Sequence, residues 1–237
     1  MTRYFVDLHC HTSASFDSLS NPRKVVEAAA TRGLTHLAIT DHDRIEGALR
    51  ARDAAPAGLT VIVGEEIRTA DGDLIALFLE EAVKPHRPAR ETIDAVRAQG
   101  GLIGIPHPFD RFRGSMLNDP RLEAMSLLVD WVEAHNARIV GGSGNERAQQ
   151  FARDMGLPGI AVSDAHSVLE VGVAYTALDA DPSTPEGLLA ALTNVELVPG
   201  RASYIVRTLT PVAKLINRAR GNRRVPPPSA AKEGTPA

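Results

Sequence analysis

The chain has 237 residues, 43% hydrophobic and 23% charged, with 26 lysines and arginines against 29 acidic residues. That composition excludes wholesale disorder, and the length allows one large domain or two small ones with a full core. A formal charge of −3 and a single cysteine, Cys10, exclude a strongly basic body built for nucleic acid and a disulfide framework.

In chain order, short apolar runs of strand character alternate with amphipathic stretches. The runs are Tyr4–Leu8, His36–Thr40, Thr60–Val63, Leu74–Leu79, Leu102–Ile105, Leu127–Val132 and Gly159–Val162, with a last short one at Glu196–Val198. Helices are expected at Arg23–Arg32, behind the cap and first-turn proline Asn21-Pro22, at Arg90–Gln99, at Asn145–Met155 ending on Gly156, and at Pro185–Leu192. Alternation of this kind argues for an α/β fold with a largely parallel sheet. The interval from Val63 to Leu74 is too short for a helix and carries Ala70-Asp71-Gly72-Asp73, so a hairpin is expected there. The pattern is an irregular barrel of roughly seven strands rather than a regular eightfold one. With 4% aromatic residues, its core must be aliphatic. From Asn217 onward, arginines and then three prolines read as a disordered basic tail, so the domain is expected to span 1–216 and the tail 217–237. No run of ~18 apolar residues occurs and the N-terminus has no signal-peptide pattern, so a cytoplasmic protein is expected.

Polar groups gather where these runs end. They are His9-Cys10-His11-Thr12, Asp41-His42-Asp43, Gly64-Glu65-Glu66, Pro106-His107-Pro108, Glu133 with His135 and Asn136, and Ser163-Asp164-Ala165-His166. In a parallel barrel the carboxyl ends of the strands share one face, which brings these groups together. His9 and His11 alternate along an extended chain and can grip one ion while Cys10 points away; Asp164 and His166 repeat that spacing. Imidazole with carboxylate suits Zn, Mn or Fe better than Mg or Ca. No P-loop, dinucleotide fingerprint or nucleophile elbow is present.

The stations DLHCHT at 7–12, ITDHD at 39–43, GEEI at 64–67, IPHPFD at 105–110 and SDAH at 163–166 resemble the PHP family, named for polymerase and histidinol phosphatase, in order and spacing over residues 4–176. EAHNAR at 133–138 is similar to its stand-alone bacterial members. The resemblance implies a distorted (β/α)7 barrel with two or three divalent transition-metal ions at the C-terminal ends of the strands, and hydrolysis of phosphoesters by metal-activated water. By motif position, His9, His11, Glu66 and Asp164 would hold one ion, and Glu66 would bridge to a second held by His107. Asp17, His42 and His166 would hold a third. Asp73 stands where the family often has another histidine, so it is expected at the second ion. Asp164 or His42 would take the proton, and Arg113 and Arg138 are candidate clamps for the phosphate. His135 is a supporting candidate near the ligands, while His36 and His86 are assigned no role. The expected substrate is a small phosphomonoester such as a nucleotide or sugar phosphate. Nucleic acid would bind only weakly, through the basic tail, and no membrane is expected as a partner. An amidohydrolase-like deacylase and a non-catalytic, regulatory metal-binding domain are the alternatives.

Overall fold

The computed structural model describes residues 2–110, 121–139 and 143–227. Its elements, in order, are β1 (Tyr4–Asp7), α1 (Pro22–Thr31), β2 (His36–Ile39), α2 (Glu46–Asp53), β3 (Thr60–Arg68), β4 (Asp73–Leu77), α3 (Ala89–Arg97), β5 (Leu102–Ile105), α4 (Arg121–Ser126), β6 (Trp131–Asn136), α5 (Gly144–Met155), β7 (Gly159–Val162), β8 (Tyr175–Leu178), α6 (Pro185–Ala191), β9 (Val195–Val198), α7 (Tyr204–Arg207) and α8 (Leu209–Ala219). Local chemistry sets several of these boundaries. Asn21 caps α1 by accepting the Arg23 N–H, with Pro22 in the first turn. Thr184 does the same for α6 through Gly187 N–H, and α5 stops at Gly156 in a left-handed conformation.

The strands form one sheet in the order β7-β6-β5-β4-β3-β2-β1-β8-β9. Pairing is parallel for β1–β2–β3 and β5–β6–β7. It is antiparallel where β4 sits between β3 and β5, and where β8 and β9 follow β1. Beyond β1, Cys10 pairs with Ala165 beyond β7, and this bridge closes the sheet into a distorted barrel. The hairpin expected between Val63 and Leu74 is the β3–β4 pair. Nine strands are present among the described residues rather than seven, because β8 and β9 continue the sheet past β1. The sixth strand begins at Trp131, not Leu127. Leu127 follows α4 and is 83% exposed, while Trp131 is fully buried.

Strand alternation splits the core in two. One cluster, with Val6, Leu8, Ile62, Ile75, Leu77, Leu102, Trp131 and Ile160, draws on every strand from β1 to β8 and carries Leu188 and Leu192 from the α6 region. The other packs helices against the sheet, with Val25, Val26 and Ala29 of α1 against Leu37 and Ile39 of β2. Gly104 of β5 makes room for the one tryptophan. A Cβ there would lie 2.1 Å from Trp131 ring atoms, so only glycine lets the indole cover β5.

The expected boundary at 217 is not where ordered contacts end. α8 runs through Asn217, which is buried, and Asn222 and Arg224 are hydrogen-bonded to the body of the domain. These side chains are held by polar contacts with main-chain carbonyls and carboxylates, which leave no hydrophobic period in the sequence. Residues 228–237 of the expected tail lie outside the described residues.

Candidate metal centre

The polar stations meet at one end of the barrel. His9 and His11 follow β1, His42 follows β2, Glu66 lies in β3, His107 follows β5, Glu133 lies in β6, and Asp164 and His166 follow β7. All eight are buried. Glu66 is the hub. Its Oε2 lies 3.3 Å from His9 Nε2, 3.3 Å from His11 Nε2 and 3.2 Å from His42 Nδ1, and its Oε1 lies 3.3 Å from His107 Nε2. Asp164 Oδ1 lies 3.5, 3.6 and 3.4 Å from His9 Nε2, His11 Nε2 and His166 Nδ1. Asp17 Oδ2 sits 3.3 Å from both His42 Nε2 and His166 Nε2. Among the described residues, two groups have ligand atoms close enough to share an ion: His9, His11 and Asp164, and His11, Asp17, His42 and His166.

The backbone is bent to achieve this. His107, Asp164 and Asp43 have φ of 27°, 52° and 56°. Side chains with a Cβ rarely adopt that region, at a cost of about 1–3 kcal/mol each. The turn at each of these strand ends redirects the chain there.

The donor set fits divalent transition-metal ions. His9 Nε2 and His11 Nε2 approach to 2.9 Å while both face Glu66. Two ring nitrogens can meet this way only with a ring proton or a metal ion between them. Without metal, charge balance falls to the rings. Burial alone would lower the pKa of His11, yet hydrogen bonds to Asp164 and Glu66 raise it to about 9. His9 is likewise raised against its burial, by Asp164 and Glu133. Burial would raise Glu66, but His42 and hydrogen bonds from His107, His11 and His9 hold it well below the usual carboxylate range. Asp17 is held low against burial by His166 and His42. His166 goes the other way, to about 3, through burial and then the nearby Arg138. Among the described residues, Asp17 Oδ1 and His107 Nδ1 are buried without a hydrogen-bond partner, which marks ligand capacity that those residues do not use.

Glu133 is tied by hydrogen bonds to the candidate ligands His9 and His107. Its Oε1 accepts from His9 Nδ1 at 2.6 Å, and its Oε2 accepts from His107 N at 2.9 Å and Asn136 Nδ2 at 2.8 Å. Asn136 also donates to Asp164 Oδ2 at 3.0 Å. His9 therefore keeps its proton on Nδ1 and turns the Nε2 lone pair inward. The sequence places Glu133 at a strand end; its tie to His9, 124 residues away, comes from closure of the barrel.

Three sequence expectations come out differently. Asp73, like Glu66 and His107, is in neither ligand group, but unlike them it faces guanidinium groups instead of imidazoles. The β3–β4 register sets it opposite Arg68, whose Nε lies 2.7 Å from Asp73 Oδ1, and Arg224 Nη2 donates to the same oxygen at 2.9 Å. Arg138 is not free to clamp phosphate. Its Nη1 is paired with buried Glu170 at 2.5 Å and its Nη2 donates to Thr210 Oγ1 at 2.8 Å. His135 turns away from the centre to Gly200 O, at 2.8 Å. Arg113 lies outside the described residues. His36 and His86 lie apart from the centre, on Ser183 Oγ and Val225 O. Cys10 is buried and belongs to the apolar cluster.

Residues 7–144 match the PHP domain family and residues 142–196 match the PHP-associated family. Two uncharacterized proteins of Methanocaldococcus jannaschii are each 36% identical, one over 142 residues (55% of this chain, 81% of the relative) and the other over 173 (72% and 68%). The error-prone DNA polymerase of Cutibacterium acnes is 48% identical over 120 residues, 45% of this chain but 11% of the polymerase. Among solved structures, a two-domain protein from Bacteroides vulgatus containing a predicted PHP-like metal-dependent phosphoesterase superposes with a TM-score of 0.69 at 20% identity, covering 84% of this chain and 65% of that one.

Proposed function

This chain belongs to the PHP domain family, and on that premise we propose that it hydrolyses a small phosphomonoester, such as a nucleotide or sugar phosphate, using two or three divalent Zn, Mn or Fe ions. The observation that carries the proposal is Glu66, one buried carboxylate facing four imidazoles from three other strand ends. In this reading His9, His11, Glu66 and Asp164 hold one ion, Glu66 and His107 a second, and Asp17, His42 and His166 a third.

Bound there, the ions would acidify water and neutralise charge on the phosphoryl oxygens. The chain's own residues do the rest. Glu133 fixes the His9 tautomer, and Ser15 Oγ, 3.0 Å from His11 Nδ1, fixes the His11 ring. His42 Nδ1 lies 3.2 Å from Glu66 Oε2 and Asp164 Oδ1 lies 3.5 and 3.6 Å from His9 and His11, and one of the two would take the proton from the attacking water. Asn136 orients Asp164 for either role. With Arg138 held by Glu170, Arg113 remains the candidate for the phosphoryl oxygens.

The test is a panel on metal-loaded protein: p-nitrophenyl phosphate, bis(p-nitrophenyl) phosphate and a p-nitroanilide amide. The monoester is expected to turn over fastest, with His9→Ala and Asp164→Asn nearly inactive. Preference for the diester would point to chain-cleaving chemistry and preference for the amide to a deacylase. Tight metal binding without turnover of any member would leave a non-catalytic metal-binding domain.

A further inference from the structure

The turn that carries Asp17 is held from outside by the C-terminal segment. Asn217 of α8 is 3% exposed, and its Nδ2 lies 3.2, 3.1 and 2.9 Å from the carbonyl oxygens of Ser15, Phe16 and Ser18. Asn222 Nδ2 lies 3.3, 3.1 and 3.3 Å from those of Ser13, Ala14 and Ser15. Only the NH₂ end of an amide can face so many acceptors, so chemistry fixes both orientations. Arg44 Nη1 donates to Asn222 Oδ1 at 3.2 Å and holds that amide in place. The two asparagines bind the carbonyls of residues 13–16 and 18 and pass over only that of Asp17. The segment has no regular structure of its own; it is a series of turns. Fixing such a backbone costs about 1–2 kcal/mol per residue, and hydrogen bonds worth about 0.5–1.5 kcal/mol each offset part of that.

We infer that Asn217 and Asn222 are positioning residues of the metal centre. They hold the 13–18 turn so that Asp17 completes the set with His11, His42 and His166. This rests on the reading above that the set holds an ion. The C-terminal segment is then part of the site, although none of its residues touches an ion.

The experiment is a Mn²⁺ titration of chelator-stripped protein, with free Mn²⁺ read by electron paramagnetic resonance. It compares wild type with Asn217→Ala, Asn222→Ala, Asp17→Asn and the double variant Asp17→Asn/Asn217→Ala. One Mn²⁺ per chain is expected to bind about tenfold or more weakly in each asparagine variant, while the remaining ions hold within about twofold. Asn217→Asp, which keeps the shape but removes the donors, should lose the same ion. The double variant should bind no worse than Asp17→Asn alone, because the asparagine acts through Asp17. A folded Asn217→Ala that binds every ion as wild type does overturns the inference. So does additive loss in the double variant. If Asn217→Ala does not fold, Asn222→Ala leaves α8 whole and decides by the same readings. Wild type binding less than one ion would instead overturn the metal centre itself, a result distinct from variants that load like wild type.

Discussion

Replacing Glu133 by glutamine keeps the side chain's shape and removes its charge and half of its acceptor capacity. Glu133 takes three buried donors: His9 Nδ1–H on one oxygen, and the His107 and Asn136 N–H groups on the other. An alanine would orphan all three at about 1–3 kcal/mol each, comparable to the whole stability of a domain, and would report on folding alone. A glutamine can keep its carbonyl on only one side. It retains most bonds by facing His107 and Asn136, which turns its NH₂ toward His9. His9 must then accept at Nδ1, and its proton moves to Nε2, the nitrogen that faces Glu66, His11 and Asp164. A protonated Nε2 cannot bind metal. The expected loss is about 10–100-fold in affinity for the ion His9 serves, or roughly 1.4–2.7 kcal/mol, with little change in melting temperature. Isothermal titration with Zn²⁺ reads the affinity, and ¹⁵N shifts of the His9 ring read the tautomer. Metal affinity within threefold of wild type, with Nδ1 still protonated, would refute the reasoning.

Arg138→Ala strips the partner from Glu170 inside an almost fully enclosed pair and should destabilise by about 3–5 kcal/mol in urea unfolding. KM for the best phosphoester should stay unchanged; a raised KM at unchanged stability would restore Arg138 as a phosphate clamp. Asp73→Ala should leave metal stoichiometry by elemental analysis as in wild type, since Arg68 and Arg224 already occupy that carboxylate. Loss of one ion would return Asp73 to the ligand list. Burial lowers the pKa of His36 from 6.5, so below about pH 6.5 the unfolded chain binds a proton that the folded chain refuses, and stability falls as pH falls. Between pH 7.5 and 5.5, His36→Gln should lose less melting temperature than wild type; equal losses would count against this linkage.

The histidines were legible because their positions follow from barrel geometry. A group at the carboxyl end of a parallel strand has one face to occupy, so His9, His42, His107 and His166 could be brought together from local runs alone. The arginine partners of Asp73 were not legible, because they are set by hairpin register and by the C-terminal segment. With Arg68 directly across β3–β4, a carboxylate at that position pairs with a guanidinium instead of an ion. Glu133 stood at a visible strand end, but its role depends on which ring lies beside it, and that is fixed only when the barrel closes. The last segment was the hardest to read. Asn217 and Asn222 are ordinary polar letters in an arginine-rich stretch, and their bonds to main-chain carbonyls carry no side-chain signature in the partner sequence.

The bridge between Cys10 and Ala165 also sets an order of events for the newly made chain. Beside it, Ser163 N–H donates to Asp7 Oδ1 across 156 residues of sequence. Contacts of such separation form late, since loop closure must precede any gain from them. The strands from β1 to β3 pair in sequence and can assemble as the chain emerges. His9 and His11 must wait for Asp164 and His166, and Asp17 waits longer still, for α8. A half-made chain therefore presents His9, His11, His42 and Glu66 on the first three strands without Asp164 and His166 beside them.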